Sequence, residues 1–147
     1  MKQDEAVQLL TDGEYGVLST CGNDGEPYGI PLNYVYRKQC IYFHCALTGH
    51  KIENITGNPK VSFCVVGKTR VLPSRFSTEY ESVIVTGTAS VIEGQERYEA
   101  LLGLLEKYSP TFFEEGKKYI ERHELVTKVI GIQIEHISGK QSPPDQQ

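Results

Sequence analysis

The run Tyr28-Gly29-Ile30-Pro31-Leu32-Asn33-Tyr34-Val35-Tyr36, followed after Arg37-Lys38-Gln39 by Cys40-Ile41-Tyr42-Phe43-His44-Cys45-Ala46, decides the fold. β-Branched and aromatic residues dominate both stretches and a polar turn separates them, the pattern of neighbouring antiparallel strands. Pro31 has no N–H to give to a neighbour, so it belongs at a sheet edge or a bulge. The same signal repeats on either side. Residues 15–20 read as a strand leading into Asn23-Asp24-Gly25, a turn in which Gly25 supplies positive φ. Residues 61–66 alternate, with Val61, Phe63 and Val65 on one face. Residues 82–92 place Val83, Val85, Gly87, Ala89 and Val91 together, and Ile130, Ile132 and Ile134 point one way in a last strand. These six strands, many joined without a helix between them, predict a mainly β (α+β) molecule: an antiparallel six-stranded barrel with peripheral helices.

The helices are short or peripheral. Asp4 is the expected cap of a first helix that carries Ala6, Val7, Leu9 and Leu10 and stops at Gly13. Apolar residues three apart in 48–55, after Thr48, predict another. Tyr98, Leu101, Leu102, Leu105 and Tyr108 form one apolar stripe on a helix over 96–108, and 110–124 continues helical. Residues 1–138 are expected to form one domain, and 139–147, with Gly139, Pro143, Pro144 and terminal glutamines, a flexible tail. A chain of 147 residues buries a sizeable core without metals or disulfides.

Fifteen basic against nineteen acidic residues give a net charge of −4, the wrong sign for nucleic-acid partners. No apolar run approaches the ~20 residues that cross a bilayer, and Met1-Lys2-Gln3-Asp4-Glu5 has no secretory pattern. A cytoplasmic protein without a membrane partner is expected, with Cys21, Cys40, Cys45 and Cys64 as free thiols that pack as small hydrophobes. The chain has no Walker loop, no dinucleotide-binding glycine motif and no nucleophile elbow. A metal site is not expected among Cys40, His44, Cys45 and His50: adjacent strand residues leave on opposite faces, and the paired Cys-x-x-Cys spacing is missing. The junction over 43–51 is more informative. A strand gives way to a helix beginning Gly49-His50-Lys51, where unpaired N–H groups, the helix dipole and the Lys51 charge make a site for a phosphate monoester. The same residues equally suit a solvated His-Lys pair on an exposed helix.

Several segments in order resemble a known family. Residues 15–20, Gly25-Glu26-Pro27 with 28–36, Ile41-Tyr42-Phe43-His44-Cys45-Ala46 with Gly49-His50-Lys51, Asn58-Pro59-Lys60-Val61, 80–87 and 134–140 together are similar to the nitroimidazole-resistance (Nim-type) branch of the pyridoxamine 5′-phosphate oxidase-like flavoproteins. The resemblance spans nearly the whole chain. It implies a split β-barrel that binds FMN at the interface of a homodimer, with FAD or haem as alternatives because related split barrels hold either. By the same resemblance Gly49, His50 and Lys51 occupy the phosphate-binding positions, His50 standing where arginine is common. His44 and Cys45 match a polar pair at the strand end, Cys45 replacing a hydroxyl residue. Ile30, Pro31, Leu32 and Asn33 lie against the isoalloxazine ring, and Ser82 reaches the flavin from the second subunit. His50 is the catalytic candidate, positioning a small-molecule substrate or donating a proton. The implied function is an FMN-dependent oxidoreductase that reduces nitroaromatics such as 5-nitroimidazoles. A non-enzymatic carrier or sensor of flavin or haem is the alternative. A true pyridoxamine-phosphate oxidase is disfavoured, because nothing after Gly139 matches its C-terminal arm.

Overall fold

The computed structural model describes residues 1–143. In chain order it has α1 (Gln3–Asp12), β1 (Gly16–Cys21), β2 (Pro27–Leu32), β3 (Val35–Arg37), β4 (Cys40–Cys45), α2 (His50–Gly57), β5 (Lys60–Leu72), β6 (Ser77–Ile92), α3 (Gly94–Tyr108), α4 (Phe113–Arg122) and β7 (Lys128–Gln141), with short 3-10 turns after β5, α3 and α4. All strands lie in one antiparallel sheet of order β2-β1-β5-β6-β7-β4-β3. The sheet has seven strands rather than the expected six, because the run over 28–36 breaks at Asn33-Tyr34 into β2 and β3.

That break shapes the molecule. β2 and β3 form opposite edges of the sheet, yet only Asn33 and Tyr34 separate them in sequence. An extended chain covers at most ~3.6 Å per residue, so the two edges lie within about 11 Å of one another. The sheet must therefore curl until its ends meet. No ladder pairs β2 with β3, so the barrel is open along this seam, a split barrel. Pro31 sits on the edge strand β2, where its missing N–H leaves no gap in a ladder.

Tyr34 fills the barrel from the seam. It is fully buried with Leu18, Phe43, Phe63, Val65, Val83, Val85, Ile130 and Ile132, and α1 adds Ala6 and Leu10 to the same core. Its hydroxyl donates to the Leu10 carbonyl, which satisfies a polar group that would otherwise cost ~1–3 kcal/mol to bury. A second apolar cluster, Tyr42, Ala100, Leu101, Leu104 and Val129, seats α3 on the outside of β4 and β7.

The expected tail is shorter than predicted. Gly139, Lys140 and Gln141 extend β7 and pair with Val83, Ser82 and Glu81, and the Ser142 N–H donates to the Tyr80 carbonyl at 2.9 Å. The remainder of that tail, 144–147, lies outside the described residues. β5 and β6 also outrun the predicted strands, forming a long hairpin that turns at Pro73–Arg75 and Phe76. α1 begins without an Asp4 cap; the Lys2 N–H donates to Glu5 Oε2 at 2.8 Å instead. The four cysteines are free but half-buried rather than buried. Among the described residues no helix is long and apolar enough to cross a membrane.

Candidate functional site

The end of β4 and the start of α2 make the junction singled out by the sequence. Ile41, Tyr42 and Phe43 anchor β4 in the two cores, which leaves His44 and Cys45 at its free end. Gly49, rather than Thr48, flanks α2; its φ of 146° is open to glycine, and no atom lies within 4 Å of where a side-chain carbon would stand. The first helical bond runs from the Glu53 N–H to the Gly49 carbonyl at 3.0 Å, so the N–H groups of His50, Lys51 and Ile52 have no partner within the helix. Lys51 makes no ion pair among the described residues. α2 is held against β1 by a buried amide: Asn54 Nδ2 donates to Thr20 Oγ1 at 2.9 Å.

Charge and burial set the states of the junction. Burial, with the Lys51 ammonium adding to it, pushes the His44 imidazole below its usual pKa, so it is neutral at pH 7. Burial pushes the Cys45 thiol up against the opposing pull of Lys51 and Lys128, so it stays protonated. The His50 ring lies nearly parallel to that of Tyr28, with ring centres 4.0 Å apart and planes at 21°, which fixes its plane beside the open space over Gly49.

Next to the junction opens a cavity of about 850 Å³ between the end of β4 and the α3–α4 pair. Asn33, His44 and Cys45 line one side; Leu101, Leu104, Leu105 and Tyr108 of α3 and Tyr119, Ile120, Arg122 and His123 of and after α4 line the other. Asn33 is held there by its neighbour. The Tyr108 hydroxyl accepts from the Tyr34 N–H at 3.0 Å and donates to the Glu14 carbonyl at 2.6 Å or that of Tyr34 at 2.9 Å. Lys107 Nζ donates to the Tyr34 carbonyl at 2.9 Å and sits 3.9 Å from the centre of the Tyr34 ring. Burial pushes the pKa of this lysine down to about 8.

Residues 2–141 match the family model described as pyridoxamine 5′-phosphate oxidase. The chain belongs to that family. No curated protein sequence matches this family member. Among solved structures it is similar to a candidate 5-nitroimidazole antibiotic resistance protein from Bacteroides thetaiotaomicron (19% identity, 94% of this chain and 82% of that one, TM-score 0.76). It is similar also to a FAD-binding protein from Mesorhizobium loti (24%, 97% and 96%, 0.69) and to a FAD and haem binding protein from Mycobacterium smegmatis (18%, 99% and 75%, 0.83). At these identities the likeness establishes the shared fold.

For this family member the predicted site residues fall into three groups. Asn33, His44 and Cys45 share the cavity, and Gly49, His50 and Lys51 adjoin it at the start of α2. His44 and Cys45 line the cavity together despite being strand neighbours, because the strand ends there and the chain turns. On β2, Ile30 and Leu32 pack against the barrel core, whereas Pro31 is exposed on the other face. Ser82 stands apart: it pairs with Lys140, at the opposite end of β7 from Lys128, the partner of Cys45. Within one protomer it does not reach the junction. Sequence reasoning missed Tyr28, Arg97 and His123. Tyr108 was visible only as one member of an apolar stripe, because its hydroxyl acts across 74 positions of sequence.

Proposed function

We propose that the chain is a cytoplasmic, homodimeric flavin reductase that holds FMN at the β4–α2 junction. The observation that carries the reading is the Lys51 ammonium, without an ion pair among the described residues, on a helix start whose His50, Lys51 and Ile52 N–H groups have no helical partner and which follows the uncrowded Gly49. This donor set suits a phosphate dianion. Lys51 and the N–H groups of His50, Lys51 and Ile52 take the phosphate. β2 is an edge strand, so the Pro31 carbonyl, which faces away from β1, and the Asn33 amide are available to the polar rim of a flat ring, while Ile30 and Leu32 hold the strand in place through the β1 ladder. Bound FMN supplies the electron transfer to a nitroaromatic acceptor such as a 5-nitroimidazole. His50, its plane fixed by Tyr28, exchanges the proton that each reduction step consumes, and neutral His44 accepts a hydrogen bond at the cavity wall.

The homodimer rests on the outer face of the sheet. Pro31, Val17, Cys64, Ile84 and Ser138 stand in one line across neighbouring strands, and Val66 lies beside them. Val17, Val66 and Ile84 are exposed there, an apolar strip that a second copy would cover. Such a partner would bring its own Ser82, on the same face, towards the flavin.

A second reading, a carrier of haem without turnover, is favoured by the size of the cavity and by the presence of both His44 and His123 on its wall. The visible spectrum of the purified protein separates the two: flavin bands support the reductase, and a single strong haem band supports the carrier. Turnover of a 5-nitroimidazole with an added reductant is expected of the flavin form. A flavin-loaded protein that reduces no nitro compound would overturn the reductase assignment.

A further inference from the structure

The cavity beside the junction exceeds what a single small ring requires. At about 850 Å³ it lies in the range of pockets that enclose drug-sized ligands. Leu101 and Leu104 of α3, with Ile120 of α4 packed beside them, line it, so its body is apolar and fits flat rings. Its charges have one sign in excess: Arg97 and Arg122 stand against Glu115, in a chain of net charge −4. The guanidinium of Arg97 is engaged, donating from Nη2 to the Glu124 carbonyl at 3.2 Å and the Thr127 carbonyl at 3.0 Å, which ties the chain after α4 to α3. Arg122 has no hydrogen bond or ion pair among the described residues.

His123 is held in one orientation. Its Nδ1 lies 2.9 Å from the Tyr119 carbonyl, and a carbonyl only accepts, so Nδ1 carries the proton and Nε2 is the free ring nitrogen. The ring also stacks on Tyr119, with centres 3.9 Å apart and planes at 23°. A fixed imidazole with a free Nε2 and an unengaged guanidinium therefore follow one another in sequence on the wall of an apolar cavity.

We propose that this cavity is the acceptor-substrate pocket, and that it takes a flat aromatic acid of two fused rings, with the rings between the end of β4 and the α3–α4 pair and the carboxylate at the Arg122 guanidinium. The proposal rests on the flavin reading for its word "acceptor" and on the cavity alone for its ligand class. Occupancy can be read without turnover because the chain has no tryptophan. Tyr119→Trp places one indole on the wall, keeps an aromatic ring against His123, and changes a side chain that is 56% exposed. The probe is 6-nitro-2-naphthoate, whose nitro group quenches indole emission. Phe76→Trp, at the tip of the β5–β6 hairpin and 97% exposed, is the reference. Saturable quenching is expected for the Tyr119→Trp protein and only linear, collisional quenching for the Phe76→Trp protein. Arg122→Glu in the Tyr119→Trp background should weaken the saturable phase by roughly five-fold, as one attraction turns into a repulsion. A neutral single-ring nitroimidazole should bind more weakly than the naphthoate. Linear quenching in both reporters, or saturation that Arg122→Glu leaves unchanged, would overturn the pocket. A protein that shows charge-sensitive saturation yet binds no FMN keeps the pocket and loses the flavin reading; one that binds FMN without saturation does the reverse.

Discussion

Lys51 and Lys107 are both lysines near the seam, and their surroundings give them opposite tasks. Lys51 makes no ion pair among the described residues and follows the uncrowded Gly49, so its charge is available to a ligand. Lys51→Glu should therefore weaken FMN binding by roughly thirty-fold, since an attraction to phosphate is replaced by repulsion in a partly shielded site. Riboflavin, which lacks the phosphate, should bind both proteins alike in the same fluorescence titration; an equal loss for both flavins would place the phosphate elsewhere. Lys107 is instead committed to the Tyr34 carbonyl and ring, and burial lowers its pKa from 10.5 to about 8. The unfolded chain then binds more protons than the folded one between those values, so this group adds stability as pH rises from about 8 towards 10.5 and burdens the fold in full below that window. The phenols of Tyr34 and Tyr42, pushed up chiefly by burial, act oppositely above pH ~10. Urea denaturation between pH 8 and 9.5 should show the wild type gaining stability relative to Lys107→Met, and parallel curves would mean that the ammonium is not desolvated. The functional weight of Lys51 was legible in the sequence because it opens a helix after a glycine. That of Lys107 was not, because nothing local marks a lysine that will lie over a ring 73 positions away.

α2 and α4 are the elements on which the site depends, and they are held very differently. α2 is tied down by Asn54, 7% exposed, whose amide reaches Thr20. Asn54→Ala leaves the Thr20 hydroxyl without that donor and should cost about 2 kcal/mol in chemical denaturation, with FMN affinity falling as the helix start loosens. α4 contains no buried residue and touches α3 where Leu105 lies over Gly116, a contact so close that a side chain at 116 would have to push the Leu105 methyl groups aside. Amide exchange in the native state should accordingly run faster in α4 than in β5, β6 and β7; equal protection would show α4 to be a fixed wall rather than the low-stability edge of the cavity. β1 and α3 were readable because one-sided burial writes an apolar pattern, and β4 and the centre of β7, buried on both faces, because they are nearly continuous apolar runs. The outer halves of β5 and β6 were not, since Arg70, Val71, Phe76 and Thr78 are exposed in the hairpin and carry no alternation. Gly139-Lys140-Gln141 reads as a loose tail for the same reason; it is a strand because β6 offers it a partner.

The molecule as a whole is governed by the two residues that join its opposite edges. Asn33 and Tyr34 close the curl of the sheet, and the site forms where that seam meets the end of β4. A barrel was legible from the count of consecutive strands. Its opening was not, because β-type residues run unbroken from Tyr28 to Tyr36 while the chain passes from one edge to the other. Curling also gives the sheet two unlike faces, one filled by the core and one presenting Val17, Cys64, Val66 and Ile84 outward. Under the proposed homodimer the outward face does two things at once: it buries its apolar strip, and it carries Ser82 to a flavin that Ser82 cannot reach within its own protomer. Ile84→Lys tests both. Ile84 is 47% exposed, so a lysine there is solvated in a lone protomer and does not disturb the core, but two copies facing each other would bury like charges. Light scattering should report 16.5 kDa for the variant and twice that for the wild type. FMN affinity should fall together with the dimer, because the partner's contribution is lost. A variant that stays dimeric would move the interface to another surface, and one that becomes monomeric while holding FMN as tightly as before would show that a single protomer completes the site and that Ser82 has no part in it.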